Sequence, residues 1–280
     1  MKILRKPKWL KIKLPTGKSY ISVKEIVNKN NLHTICQSGN CPNISECWGK
    51  GTATFMILGD ICTRSCRFCA VKTGKPKKID ESESVKIARS VKLMKLNHIV
   101  LTSVDRDDLE DGGSIFWVKV IEEIRKLNPQ ITLEALIPDF NGDEKSLKRI
   151  IKVKPEIVSH NLETVRSLTK KIRVQADYDR SLQVLKILKD GGMKTKSGIM
   201  LGLGETKNEI IETMDDLRKV NCDILTIGQY LQASKKNIPV YNFPSPKEFE
   251  NYKDIALKKG FKFVESSPLV RSSYGAEKHL

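Results

Sequence analysis

No apolar run in this sequence approaches the ~18 residues that a membrane-spanning helix requires. The opening "MKILRKPKWLKIKLP" is basic but too polar for the h-region of a secretory leader, and Pro7 and Pro15 interrupt it, so none is expected there. A cytoplasmic location is therefore expected, with no membrane partner. Internal repeats and low-complexity tracts are absent as well, so the 280 residues read as one large domain with extensions. Acidic residues are in deficit, with 33 Asp and Glu against 50 Lys and Arg and a formal net charge of +17. Such a field draws in nucleic acid or an acidic protein surface. Basic runs such as "KPKWLKIK" lack the interleaved aromatics of a single-strand binding platform, so a lysine-decorated solvated face explains them equally well.

Cysteine is scarce but concentrated. Six of the seven fall in two triads, Cys36, Cys41 and Cys47, then Cys62, Cys66 and Cys69. In a reducing compartment, clustered cysteines are metal ligands or redox groups more often than disulfides. Structural zinc wants four closed ligands, and neither triad has a local fourth cysteine or histidine, although His33 lies near the first. Three thiolates on a [4Fe–4S] cluster would leave one iron open for another ligand, so two triads suggest two clusters. The C-x3-C-x2-C spacing of the second triad favours iron–sulfur, while the first triad taken alone also suits zinc or a redox thiol set. Cys222, entering an apolar strand, reads as a buried packing residue.

From Thr54 onward, short apolar runs alternate with amphipathic helical stretches. The strands are "TFMILG", "HIVLTS", "ITLEALI", "EIVSH", "KTKSGIML" and "DILTIG", the pattern of parallel βαβ units. Six units predict an α/β fold, a partial (β/α)6 TIM-type barrel, with a doubly wound sheet as the competing topology. Residues 1–52 form an extension carrying the first triad, 53–230 the barrel, and 231–280 a C-terminal extension with one more helix and the short strand "FKFVES". Polar segments collect where strands end: "GDICTRSCRFC", "TSVDRDDLEDGG", "EALIPDF", "SHNLETV", "SGIMLGLGE" and "GQYLQ". The second triad and these groups therefore share one rim. "GLGE" and "EDGG" read as turns, a lone G-x-G being a weak phosphate signal.

The second triad, with Phe68 before its last cysteine and a strand ahead of it, resembles the radical S-adenosylmethionine superfamily. Within it, "LHTICQSGNCPNISECWGKGTATFMILGDICTRSCRFCAVKTGKP", "RDDLEDGG", "LIPDF", "HNLETV", "TKSGIMLGLGE", "ILTIGQYLQ" and "PLVRSSY" resemble the lipoyl synthase family. The resemblance runs from about Lys8 to Ala276. It implies two [4Fe–4S] clusters and S-adenosylmethionine as cofactors. Cys62, Cys66 and Cys69 would hold the cluster that chelates S-adenosylmethionine, whose reductive cleavage gives a 5′-deoxyadenosyl radical. Cys36, Cys41 and Cys47 would hold an auxiliary cluster with Ser273 on its fourth iron, joined by a tail that folds back to the barrel rim.

The reaction implied is insertion of two sulfur atoms at C6 and C8 of an octanoyl chain on a carrier lysine, with the auxiliary cluster as sulfur source. Unactivated C–H bonds have no acidic proton, so the hard chemistry belongs to cofactors. The partners implied are an octanoylated lipoyl carrier domain or octanoyl-lysine peptide and an electron donor such as ferredoxin or flavodoxin, with no nucleic acid. Ser103, Glu134, Asn161, Lys196 and Gln229, at or near predicted strand ends, are the expected S-adenosylmethionine contacts. The chain departs from the family pattern at Ala233, Asn237, Ser267 and Gly275. Competing readings are a radical methylthiotransferase acting on RNA, which usually carries further domains, and a zinc-stabilised nucleic-acid module.

Overall fold

Six consecutive apolar or small residues, Thr52–Ile57, form a strand buried along its whole length, as expected when both faces of a parallel strand are covered. The computed structural model describes residues 5–12, 17–30, 32–39, 41–49 and 52–280, with the side chains of Lys18 and Ser19 outside that description. Parts of the basic leading segment (1–4 and 13–16) and Asn31, Asn40, Lys50 and Gly51 of the first triad's segment lie outside the described residues. The strands are β1 (His33–Thr34), β2 (Thr52–Ile57), β3 (Ile61–Cys62), β4 (Lys72–Thr73), β5 (His98–Ser103), β6 (Thr132–Leu136), β7 (Ile157–Ser159), β8 (Thr195–Leu201), β9 (Ile224–Gln229) and β10 (Phe263–Ser266).

One sheet runs in the order β1-β2-β5-β6-β7-β8-β9-β10, and β3 and β4 make a separate short parallel pair that carries Cys62. A doubly wound sheet reverses its strand order at a switch point. Here the order simply follows the chain, so the barrel topology holds. The sheet is longer than the six-unit expectation, because β10 adds to β9 in parallel. Its crossover helix, Pro246–Lys258, has Pro at its start and a reciprocal Ser245–Glu248 capping box, the sequence cue for that extra unit. Helices Glu83–Leu93, Ser114–Leu127, Glu144–Val153, Tyr178–Asp190 and Lys207–Lys219 make the other main crossovers, the last with its own capping box at Thr206 and Glu209.

The tail crosses the carboxyl edge of β9, where Gln229 N donates to Pro268 O, and then runs beside β2, next to the segment that carries the first triad. β1 runs antiparallel to β2, with Thr34 opposite Phe55, so the chain after Thr34 heads back toward the amino end of β2. The tail returns to the same place: Asn43 Nδ2 donates to Leu269 O at 2.7 Å and Thr52 Oγ1 to Glu277 Oε2 at 3.4 Å. The last turn, Ala276–His279, buries His279 against Phe263 of β10, with ring centroids 5.8 Å apart. Tail and extension together thus span from β10 to β2. Among the described residues, no helix is long and apolar enough to cross a membrane.

Candidate functional site

Two cavities, each lined by one cysteine triad, lie side by side. The larger, about 320 Å³, opens among the carboxyl ends of the barrel strands and is lined by Cys62, Cys66 and Cys69. The smaller, about 150 Å³, is lined by Cys36, Cys41 and Cys47 beside Thr52 and Thr54 of β2. Ile35, Arg271 and Ser272 line both and so form the wall between them. Ser273 lines the smaller cavity with the first triad, although more than two hundred residues of chain separate them.

Glycine explains how the tail gets there. A Cβ on Gly228 of β9 would stand 2.1 Å from the carbonyl oxygen of Val270, so only glycine lets the tail lie directly on the strand. Tyr274 Oη, just past Ser273, donates to Glu46 Oε1 at 3.2 Å and ties the tail to the helix Ile44–Gly49 that carries Cys47.

All seven cysteines are free thiols. Burial pushes the Cys66 thiol up to about 12 and Cys62 up to about 11, Asp105 adding to the second. In the smaller cavity, burial first and then the neighbouring cysteines raise Cys47 to about 12, and burial with Cys41 raises Cys36 to about 11. Such thiols stay protonated in water-poor surroundings; a bound cationic centre is what would ionise them. Among the described residues, no three His, Cys, Asp or Glu side chains meet closely enough to enclose one metal ion. A four-iron cluster spreads its thiolates wider than a single zinc ion with ~2.3 Å bonds, and the cavities leave room for a group of that size. The donor set fits iron–sulfur clusters.

Of the five expected cofactor contacts, Ser103 and Asn161 line the larger cavity, while Glu134, Lys196 and Gln229 are not among its lining residues. Lys196 Nζ and Glu134 Oε2 instead pair at 2.9 Å with no exposure on either side chain, and Ser159 Oγ donates to Glu134 Oε1 at 2.5 Å. They sit one inward layer below the cavity: Leu136, two residues after Glu134, and Gly198, two after Lys196, are the ones that reach it. Gln229 follows the cavity-lining Gly228 and points to the other face, where its amide donates to the carbonyls of Leu201, Tyr230 and Asn242 at 3.0, 3.0 and 3.2 Å. In the structure it staples the loops around the end of β9.

Glu163, Arg173 and Asp105 also line the cavity, and sequence reading did not single them out. Glu163 adopts a left-handed backbone (φ 64), costly for a non-glycine residue, while its own N–H and C=O bridge to Gly198 and Met200 of β8. Asn161 Nδ2 donates to Glu163 Oε1 at 3.0 Å, and Asn161 Oδ1 is buried without a partner. Burial raises the Glu163 carboxyl, and Arg173 counters it. The only available signal was the motif "HNLETV" as a whole.

Other segments are structural. Glu205 of "GLGE" accepts from Gly202 N at 2.6 Å and Leu203 N at 2.9 Å, closing a turn. Asp111 of "EDGG" accepts from Gly113 N at 3.0 Å and Ile115 N at 2.7 Å, opening the helix Ser114–Leu127. Cys222 is fully buried, as read. His33 pairs with Met56 in the sheet and is not a lining residue of either cavity. Asn237, one of the departures from the family pattern, donates to the carbonyls of Cys69 and Arg67 at 2.8 and 3.2 Å, bracing the triad loop.

A family model described as the Radical SAM superfamily matches residues 56–217, and one described as the N-terminal domain of lipoyl synthase matches residues 1–41. The chain is 61% identical to lipoyl synthase of Christiangramia forsetii over 276 residues, covering 98% of this chain and 94% of that one. It is 60% identical to mitochondrial lipoyl synthase of Nematostella vectensis, covering 98% and 95%. Among solved structures, methylornithine synthase (PylB) aligns with a TM-score of 0.58 at 14% identity, over 89% of this chain and 76% of that one. Streptococcus suis SuiB bound to S-adenosylmethionine aligns with a TM-score of 0.60 at 12% identity, over 81% and 54%. These two likenesses concern the fold.

Proposed function

The chain belongs to the lipoyl synthase family of the radical S-adenosylmethionine superfamily, and from that premise we propose how its two triads divide the work. Its function is that of a lipoyl synthase, a sulfur-inserting enzyme acting on octanoylated protein through a [4Fe–4S] cluster and S-adenosylmethionine. Whole-length likeness displaces the readings of an RNA methylthiotransferase and a zinc-stabilised nucleic-acid module.

In the proposed division, Cys62, Cys66 and Cys69 hold the cluster that binds S-adenosylmethionine. Cys36, Cys41 and Cys47 hold a second, auxiliary [4Fe–4S] cluster, with Ser273 as its fourth ligand. When bound, these groups supply the electron that cleaves S-adenosylmethionine and the sulfur that enters the chain at C6 and C8. One observation carries the reading: two adjacent cavities, one triad in each, with Ser273 lining the first triad's and a shared wall of Arg271 and Ser272. A serine oxygen is a harder and weaker partner for iron than thiolate, which suits a ligand that must let go.

The chain's own residues then have distinct tasks. Asn161, Glu163 and Arg173 offer acceptors and donors of both signs to a zwitterionic ligand. Met56, Leu136, Met200 and Val270 give the cavity the apolar wall that an acyl chain and a water-sensitive radical both need. Half-buried Arg271, whose Nη1 donates to Val270 O at 2.6 Å, places a cation between two anionic cluster sites. Ser103 completes the polar lining. Residues 1–52, 53–230 and 231–280 remain the proposed division into extension, barrel and tail, with β10 lending the tail a strand.

The net charge of +17 suits an acidic carrier domain over nucleic acid, and affinity for that carrier should fall steeply with salt. A ferredoxin or flavodoxin is the proposed donor, and the cytoplasm the proposed location. The test is an anaerobic reaction with octanoylated carrier peptide and S-adenosylmethionine, read by mass spectrometry. Product carrying two added sulfurs supports the reading. Octanoyl peptide recovered unchanged from enzyme with a full complement of iron and an active reductant counts against it.

A further inference from the structure

The motifs "TRSC", "RDDLEDGG", "LIPDF" and "DYDR" are far apart in sequence, yet one ion-pair network centred on Arg64 and Asp139 gathers them. Arg64, between Cys62 and Cys66, is 4% exposed. Its Nε and Nη2 donate to the two carboxylate oxygens of Asp107, both at 2.8 Å. Nη2 also donates to Asp139 Oδ1 at 2.7 Å and to Asn141 Oδ1 at 3.0 Å, and Nη1 lies 3.4 Å from Asp105 Oδ1. The other oxygen of Asp139 accepts from Arg180 Nε at 2.8 Å. A single guanidinium therefore fastens the triad loop to the loops that follow β5 and β6. Arg180, from the helix Tyr178–Asp190, backs it from behind.

This clamp has a chemical consequence at Cys62. The backbone N–H of Arg64 and that of Asp105 both donate to Cys62 Sγ, at 3.4 and 3.3 Å. Thr63 completes the zipper, its N–H and Oγ1 both donating to Asp105 O at 3.1 and 3.0 Å, while its Oγ1 accepts from Asp107 N at 3.1 Å. The loop after β5 stays against Cys62 because Arg64 holds Asp107. N–H donors on a cluster's thiolate stabilise the reduced, more negative state and so raise its reduction potential. Cys69 Sγ accepts from Val71 N at 3.4 Å without help from this network.

We propose that Arg64 is a positioning residue which, by clamping the triad loop to the β5 and β6 loops, holds the Arg64 and Asp105 amides on Cys62 and so sets the reduction potential of the cluster there. The inference rests on the reading that Cys62, Cys66 and Cys69 hold a [4Fe–4S] cluster. Losing the clamp withdraws two donors and makes the cluster harder to reduce. A clamp that merely sealed the loop would act in the opposite sense, because water admitted to the cluster favours the more highly charged reduced state.

The test uses the full chain, loaded anaerobically, in the variants Arg64→Lys and Arg64→Met. The readout is the redox titration of the EPR signal that changes when S-adenosylmethionine is added. With iron and sulfide unchanged, Arg64→Met should lower the reduced-to-oxidised ratio at a fixed potential about tenfold, which is ~59 mV for one electron. Arg64→Lys, which keeps the charge but loses the fork, should move the ratio the same way by less. Should Arg64→Met fail to fold or load, Asp107→Asn breaks the same fork at a partly exposed partner and carries the same expectation. An unchanged or raised ratio in a fully loaded variant overturns the proposal. Wild-type protein that is folded and iron-loaded but has no signal responsive to S-adenosylmethionine would instead overturn the cluster assignment on which it rests.

Discussion

Gly228 and Val270 meet backbone to backbone: the carbonyl oxygen of Val270 would lie 2.1 Å from a Cβ at Gly228. No side chain gives way in such a contact, so the tail itself must move. Gly228→Ala should displace residues 268–274 and cost about 1–3 kcal/mol of stability. Hydrogen exchange across the tail should accelerate, and iron content should fall by up to half as the auxiliary site loses Ser273. Wild-type exchange in a fully loaded variant would mean that the tail's seat on β9 is not what positions the smaller cavity.

The two cavities make a numerical prediction. Changing Cys62, Cys66 and Cys69 together to Ala should remove about half the iron and abolish cleavage of S-adenosylmethionine, since three thiolates hold each cluster. The matching change at Cys36, Cys41 and Cys47 should also remove about half, yet leave 5′-deoxyadenosine formation intact. Iron analysis with chromatography of the cleavage product checks both. Loss of all iron from either folded variant would favour a shared site.

Much of this was legible in the chain, and the misses have physical reasons. Buried runs such as Thr52–Ile57 announced their strands, whereas β10, with Phe263 exposed, carried only a faint signal. The rim motifs were found as segments, but a strand's end in sequence does not give its depth in the barrel. Lys196 is the second residue of the seven-residue strand β8, so it belongs to the amino end, where it pairs with Glu134. Gln229 lies at the carboxyl edge, but alternation along β9 gives the cavity-facing position to Gly228. Glu163 could not be picked out because its left-handed backbone, which residue type alone does not forecast, is tied into the sheet. The approach of Ser273 to the first triad has no local sequence signal, and only the family resemblance pointed to it.

Glu83 gives the fold a pH dependence away from the cysteines. Its carboxylate accepts from Leu58 N at 2.8 Å, at the left-handed turn of Leu58 and Gly59 that leads from β2 into the second triad's segment. Burial, more than offsetting the Leu58 and Gly59 amides, raises its carboxyl from 4.5 to about 7. A folded-state value above the unfolded one means that the native state holds the proton more tightly. Its contribution is thus fully present below about pH 4.5 and is lost as pH rises through 7. Between those values this one group should lower stability by up to ~1.4 kcal/mol per pH unit. Urea midpoints of Glu83→Gln, taken anaerobically from pH 5 to 8, should show a shallower decline than wild type. Parallel curves would mean that the carboxyl does not change its proton in the folded protein.

Ser273 is where fold and chemistry meet most closely. Its neighbours are anchored without it: Asn43 holds Leu269 at 2.7 Å, Tyr274 reaches Glu46 at 3.2 Å, and Lys194 Nζ donates to His279 O at 3.0 Å beyond. Ser273→Ala should therefore leave the tail seated, with folding and S-adenosylmethionine cleavage nearly intact, while sulfur insertion disappears. Ser273→Cys should keep the auxiliary cluster but grip its fourth iron with a soft thiolate that does not let go, so the cluster persists and product does not form. Truncation after Pro268 should resemble the alanine variant with a further loss of auxiliary iron, because Arg271, Ser272 and the anchors at Tyr274 and His279 leave with it. Mass spectrometry of the carrier peptide and iron analysis after turnover separate these outcomes. A serine that only capped a turn would leave all three activities alike, and full lipoyl product from Ser273→Ala would remove this residue from the reaction.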